Sequence, residues 1–233
     1  MSLLAHKEIN LLIDDGIIVD CERKNVNASS LDIRLGKKLL IERPDHKLYQ
    51  DGKLRRISLK KREQLNMIEW DLEREGPFIL SPGEFILAHS MEMFNLPNHI
   101  SAEYKLKSSM ARIGLEHLNA GWCDAGWHGS VLTLELSNMT RCHEIVLEYE
   151  DLIGQMVFFM HEEVPHSVSY ANRGRYNNDR SVSGAKTKNH LIAFGDQQED
   201  NYQEEFDKNN PNFEVIVNPP RNVIPIEDEN GNS

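Results

Sequence analysis

Val131-Leu132-Thr133-Leu134-Glu135-Leu136-Ser137-Asn138 alternates apolar and polar side chains with a period of two, the pattern of a half-buried β-strand. Runs of the same type lie on either side of it, at residues 31–42, 78–80, 84–89, 101–106, 144–147 and 153–159. Gly, Pro, Asn and Asp separate them. A helical period occurs only near the start, over residues 3–14, where Leu4, Ala5, Ile9 and Leu12 share a face. Ser2 is available as a cap, and Gly16 stands where a left-handed C-cap belongs. Many short strands joined by turn chemistry predict a mainly β fold, a sandwich, barrel or jelly roll, with one short N-terminal helix.

The 233 residues are 39% hydrophobic and 27% charged, which suffices for one large domain. The longest apolar run is residues 156–160, far short of the roughly 20 needed to span a bilayer. Charged residues among the first eight leave no apolar signal core, so no membrane partner and a cytoplasmic address are expected. Cys21, Cys123 and Cys142, odd in number and widely spaced, read as reduced thiols. Net charge is −11, of which residues 196–233 hold −8, leaving −3 on the rest. That balance excludes a nucleic acid polymer as partner but permits a small anion where a few cations converge. The expected organisation is a domain over 1–190, with a charged surface insertion at 43–76 and a loop or lid at 171–189. An acidic extension follows at 191–233, in which residues 213–217 and 223–226 are apolar.

Chemistry concentrates in Lys107-Ser108-Ser109-Met110-Ala111-Arg112 and in the glycine-marked turn Asn119-Ala120-Gly121-Trp122-Cys123-Asp124-Ala125-Gly126-Trp127-His128-Gly129. Two serines between two cations can open a short helix that receives a phosphate, or simply a capped helix with solvated charges. Gly121, Gly126 and Gly129 would let the backbone approach a ligand closely. Glu135, mid-strand, suits either a solvated surface or a pocket. A zinc-type deaminase is excluded on spacing: His6-Lys7-Glu8 fits one element by chance, but no Cys-x-x-Cys exists. His117 and His128 are expected at the surface, and Cys123 as a small buried thiol.

These segments, taken in order with residues 27–36, 80–88, 153–158 and Arg175-Tyr176, resemble the dCTP deaminase branch of the trimeric dUTPase superfamily over roughly residues 1–180. The resemblance implies a distorted, dUTPase-like β jelly roll and a homotrimer with active sites at subunit boundaries. It also implies a Mg²⁺–nucleoside triphosphate substrate, dCTP or dUTP, with dTTP as a candidate inhibitor. Position by position, Glu135 matches the general base, Ser108 and Arg112 the phosphate and catalytic pair, and Lys107, with Ser109 beside it, a phosphate contact. Ala120 matches the turn facing the pyrimidine, Asp124 the carboxylate on the deoxyribose 3′-hydroxyl, and Tyr170 and Arg175 the lid. Trp122 after Gly121 is the pattern of bifunctional members that also cleave dUTP to dUMP, unless it only packs at the subunit boundary. Departures are Asn119 for Thr, Cys123 for Ile, Ala125 for Pro, and Asp179 where a lid glutamine would meet phosphate; Arg180 is the available replacement cation. The expected activity is zinc-independent deamination of dCTP. The alternatives are a dUTP pyrophosphatase without deaminase activity and a non-catalytic nucleotide-binding regulator.

Overall fold

A computed structural model describes residues 1–42, 57–58 and 65–186. In chain order the elements are β1 (Ser2–Leu3), α1 (His6–Asp14), β2 (Ile18–Val19), a single 3₁₀ turn at Arg23–Asn25, β3 (Leu31–Arg34), β4 (Lys38–Glu42), β5 (Met67–Asp71), α2 (Leu72–Glu75), β6 (Phe78–Leu80) and β7 (Phe85–Asn95). There follow β8 (Ile100–Leu106), α3 (Ser108–Arg112), β9 (Leu115–His117), β10 (Trp122–Cys123), β11 (His128–Asn138), β12 (Ile145–Leu147), β13 (Leu152–Met160) and α4 (Tyr170–Arg173). The first sheet runs β1-β13-β8-β10, with β3 also on β13; the second runs β5-β4-β7-β11-β9, with β2 also on β7. A small pair, β12-β6, stands beside them, and the whole is the expected mainly β jelly roll. No helix among the described residues is long and apolar enough to cross a membrane.

The core forms where the two sheets meet. Phe94 of β7 stacks on Trp127 at 5.7 Å and meets Phe158 of β13 at 6.3 Å between ring centroids. Leu134, Leu136, Ile86 and Leu39 of the second sheet and Leu31, Ile33 and Met156 of the first are fully buried in the same cluster. The alternation in residues 131–138 thus turns its leucines inward and leaves Val131, Thr133 and Glu135 for the other face.

Three expectations need correction. The first helix begins at His6, because Ser2 and Leu3 pair with Met160 and Phe159 of β13. Ser2 is therefore no cap, and the Glu8 carboxylate accepts the Ala5 N–H instead at 3.2 Å. The C-terminal end is as expected: Gly16 has φ +69°, and Ile17 N–H bonds back to Leu12 C=O at 2.9 Å.

The run 31–42 is two strands, since β3 lies in the first sheet and β4 in the second. The chain turns between them at Gly36, where a Cβ would sit 2.2 Å from the His89 ring. Finally, part of the expected surface insertion is sheet. β5 pairs with β4 from Lys38↔Asp71 to Glu42↔Met67, Asp71 caps α2, and Trp70 packs edge-on against Phe78 at 5.7 Å. Met67, Ile68, Trp70 and Leu72 supply the apolar content that the surrounding charges obscure. Residues 43–56 and 59–64 of that insertion, 187–189 of the lid and the extension 191–233 lie outside the described residues.

β3 carries charge inside the protein. Leu31, Ile33 and Leu35 face the core with no exposed surface, while Asp32 and Arg34 share the opposite face and are themselves buried. Arg34 Nε donates to Glu92 Oε1 at 2.8 Å and its backbone N–H to Oε2 at 3.0 Å; the guanidinium also reaches Glu22 and the Asp20 carbonyl.

Candidate active site

Cross-strand partners share a face of a sheet, so the pairings Leu40↔Leu87 and Glu135↔Leu87 set these three side chains in one row across β4, β7 and β11. The row forms the floor of a cavity of about 710 Å³. Phe85, Val131, Thr133 and Met67 extend the apolar floor, and Ala120, Trp122, Asp124 and Tyr170 stand around Glu135. Glu135, Ala120, Trp122, Asp124 and Tyr170 thus line one cavity.

Local chemistry shapes each wall. Asn119 takes a left-handed φ of +58°, a conformation that Asn tolerates better than most residues, and so presents Ala120 to the cavity. Trp122 Nε1 donates to Asp124 Oδ1 at 2.8 Å, fixing that carboxylate, and its ring stacks on Phe159 at 6.1 Å. Burial pushes the Tyr170 phenol up to about 12, so it remains a neutral hydrogen-bond donor near neutral pH. Cys123 is buried, and that burial raises its thiol pKa well above the ordinary value, which suits packing and not attack.

His117 is not a surface residue. Its side chain is 4% exposed and its Nε2 lies 3.4 Å from Oε2 of Glu135, which is 27% exposed. Neither of these two atoms makes a hydrogen bond, and the imidazole rests on the Tyr104 ring at 4.7 Å. The carboxylate therefore has one oxygen turned to a buried imidazole. His128 is half-buried, with Nδ1 donating to the Gly126 carbonyl at 2.8 Å.

The phosphate-binding residues of the sequence reading, and Arg175 of the expected lid, stand elsewhere. Lys107, Ser108, Ser109, Arg112 and Arg175 are absent from the cavity lining. Ser108, Ser109 and Arg112 on α3 are exposed. Lys107 Nζ is engaged with Asp32 Oδ2 at 2.5 Å, and Asp32 is steadied by Asn27 Nδ2 at 2.8 Å. Arg175 lies over the Tyr176 ring, 5.7 Å from its centroid, with Nη1 buried and without a partner.

The turn glycines serve the protein's own chain. A Cβ on Gly126 (φ +88°) would fall 2.1 Å from Ser169 Oγ, and one on Gly129 (φ +64°) 2.4 Å from Asn178 Oδ1. At Gly121 it would meet the Tyr104 carbonyl at 2.6 Å. The expected close approach of a ligand at these positions is replaced by close approach of β8 and of the segment after β13. Tyr176, Asp179, Ser183, Gly184 and Ala185 of that segment line the cavity. The segment is fastened by Asn178 N–H to His128 C=O at 3.0 Å, Val131 N–H to Asp179 C=O at 2.9 Å, and Ser130 Oγ to Tyr176 C=O at 2.7 Å. Asp179 is paired with Lys186 at 2.7 Å.

Residues 3–161 match the model of a family described as dCTP deaminase-like. The chain belongs to that family. A "dCTP deaminase, dUMP-forming" of Methanosphaera stadtmanae is 34% identical over 166 residues, which cover 68% of this chain and 79% of that protein. One of the same description from Dictyoglomus thermophilum is 30% identical over 190 residues, covering 79% and 94%. The crystal structure of 2'-deoxycytidine 5'-triphosphate deaminase from Agrobacterium tumefaciens shares the fold, with a TM-score of 0.52 at 24% identity over 68% of this chain and 47% of that one.

Within this dCTP deaminase-like chain, sequence reasoning misplaced His117 at the surface and read residues 171–189 as a loop or lid without placing Tyr176 and residues 183–185 in the cavity wall. The first was legible: in Leu115-Glu116-His117 the period of two puts His117 on the side of buried Leu115. The second had no such signal, since residues 176–186 carry no apolar period. Among the described residues no three His, Cys, Asp or Glu side chains gather as a metal-binding group, and Asp179 is already paired. The donor set fits a metal that arrives on a ligand better than one held by the protein.

Proposed function

We propose that this protein deaminates dCTP to dUTP and then hydrolyses dUTP to dUMP and pyrophosphate, supplying dUMP for thymidylate synthesis. The observation that carries the reading is the Glu135 carboxylate, half-buried on an apolar floor beside the Ala120–Asp124 turn. The dUMP-forming relatives support the two-step outcome, and Trp122 after Gly121 is consistent with it. Glu135 takes a proton from water as the oxygen bonds to C4 of cytosine, and returns it to N3. The hydroxyl proton of the resulting tetrahedral adduct passes through Glu135 to the C4 amino group, the C4–N bond breaks, ammonia leaves, and the oxygen from water stays as the C4 carbonyl of uracil. Asp124 orients the deoxyribose, and Tyr170 closes one side. Mg²⁺ enters as part of the substrate, on the triphosphate.

Ser108 and Arg112 on an exposed α3, outside their own cavity, favour a homotrimer in which they complete a neighbour's site. Lys107, Ser109 and Arg175 fall in the same group, and dTTP is the natural candidate inhibitor of a shared pyrimidine pocket. The work is placed in the cytoplasm. Incubation with Mg²⁺ and dCTP, dUTP or dCMP, with separation of products and assay of ammonia, tests the reaction. Ammonia and dUMP from dCTP are expected, and Glu135→Gln should lower turnover by about 10²–10⁴-fold while nucleotide still binds. Cleavage of dUTP with no ammonia from dCTP would leave a pyrophosphatase, and binding without turnover a regulator.

A further inference from the structure

The cavity has three carboxylates on its lining, Glu135, Asp124 and Asp179, and no Lys or Arg of the described residues among them. A wall of that sign repels a polyanion unless part of it is neutralised. Asp179 is the member with a cation of its own. Lys186 Nζ donates to Asp179 Oδ1 at 2.7 Å and to the Arg175 carbonyl at 2.7 Å, and lies 5.0 Å from the centroid of the Tyr176 ring. The other carboxylate oxygen accepts Ser183 Oγ at 3.1 Å, and Lys186 N–H donates to the Tyr176 hydroxyl at 3.3 Å. The Asp179 N–H is fixed on Ser130 Oγ at 3.1 Å, which anchors the arrangement to β11. With side chains 25% and 18% exposed, Lys186 and Asp179 form a pair partly withdrawn from water, where charge matters more than at an open surface.

We infer that the Lys186–Asp179 pair is a charge clasp that sets the affinity of the cavity for the phosphates of a nucleotide, by cancelling a carboxylate in the wall and cinching residues 176–186 into that wall. The inference rests on the proposed nucleotide substrate, but not on the deamination step. Lys186 is a positioning residue here, acting through Asp179. Without it, Asp179 stands as an unpaired negative charge in the wall. Removal of both charges restores the net charge that the wall has when the two are paired.

The test uses the full chain as Lys186→Met, Asp179→Asn and the double variant, with Kd for dCTP and for uncharged deoxycytidine measured by calorimetry, KM and kcat for dCTP, and thermal midpoints. Lys186→Met should raise Kd and KM for dCTP by about tenfold, of the order expected for one partly screened charge. kcat should change by less than about threefold, and the affinity for deoxycytidine should hold. Raising the salt concentration should shrink the difference in Kd. The double variant should return Kd to near the parental value. Asp179→Asn alone frees a cation at the wall and should tighten dCTP, which keeps the test decisive even where Lys186→Met folds poorly. Equal weakening of dCTP and deoxycytidine, weaker binding in Asp179→Asn, or no recovery in the double variant would overturn the clasp. Because Kd is read for nucleotide and nucleoside separately, an absence of deaminase turnover in the parent fails the catalytic reading without deciding this one.

Discussion

Arg34→Met removes the cation from the interior of the first sheet while keeping most of the aliphatic stem. In the parent, Glu92 is 0% exposed at its side chain and accepts Arg34 Nε at 2.8 Å and the residue 34 backbone N–H at 3.0 Å. Methionine leaves only backbone donors, so a buried carboxylate loses its counter-charge, a change that costs about 3–5 kcal/mol. In a domain of this size each kcal/mol is worth about 2–4 °C, so the thermal midpoint should fall by about 6–20 °C. The deficit should also depend on pH in a definite direction. Burial already pushes the Glu92 carboxyl up from its ordinary range, against the pull of Arg34, and without Arg34 it rises further. A carboxyl whose folded pKa lies above its unfolded value of about 4.3 contributes stability that is complete below that value and is lost as pH climbs through the folded one. The gap between variant and parent should therefore be smallest near pH 5 and widen towards pH 8. Calorimetric or circular-dichroism melts of both proteins across that range provide the measurement. A loss under about 1 kcal/mol, or a gap that does not move with pH, would refute the account of Glu92 as an ionised group held by Arg34.

His89 is buried, with Nδ1 on the Ser90 carbonyl and Nε2 accepting from Lys38 N–H, and desolvation lowers its pKa. Stability from the neutral ring is thus present above about pH 6.5 and lost as pH falls through the lower folded value; melts from pH 7 to pH 5 should show the decline, and His89→Gln should flatten it. Gly126→Ala combines a left-handed φ with a Cβ 2.1 Å from Ser169 Oγ, so it should cost about 1–3 kcal/mol and speed proteolysis between residues 169 and 186, read by mass spectrometry. EDTA should abolish turnover of dCTP by stripping Mg²⁺ from the triphosphate, whereas a chelator selective for zinc should leave it intact; one zinc per chain with activity tracking its removal would overturn the mechanism.

The strands were legible where one face of the sheet is apolar and the other is not. β6, β8, β11, β12 and β13 fall within a few residues of their expected bounds because Leu134, Leu136, Met156 and Phe158 alternate with polar or half-buried neighbours. β1, β2 and β10 have two residues each and cannot display a period, and β5 hides among charges at residues 69–75. The site divides in the same way. Glu135, Ala120, Trp122, Asp124 and Tyr170 line one cavity because a strand, a turn and a short helix of the same chain fix them there. The cavity says nothing of Ser108 and Arg112, since one chain holds them on a separate surface. Gly126 and Gly129 take left-handed φ values and Gly121 does not, and at all three the sequence shows that something comes close, not what.

The fit between turn and segment limits how this protein can be re-engineered. The turn at 121–129 and the segment at 169–178 are cut to one another, with Ser169 and Asn178 occupying the space that side chains at Gly126 and Gly129 would fill. A C-terminal segment grafted from a relative, in the hope of importing a different lid, would arrive without its matching seat. The exchangeable unit is the pair, turn and segment together, and chimaeras that move only one half should express as proteins whose body folds and whose terminal segment hangs loose.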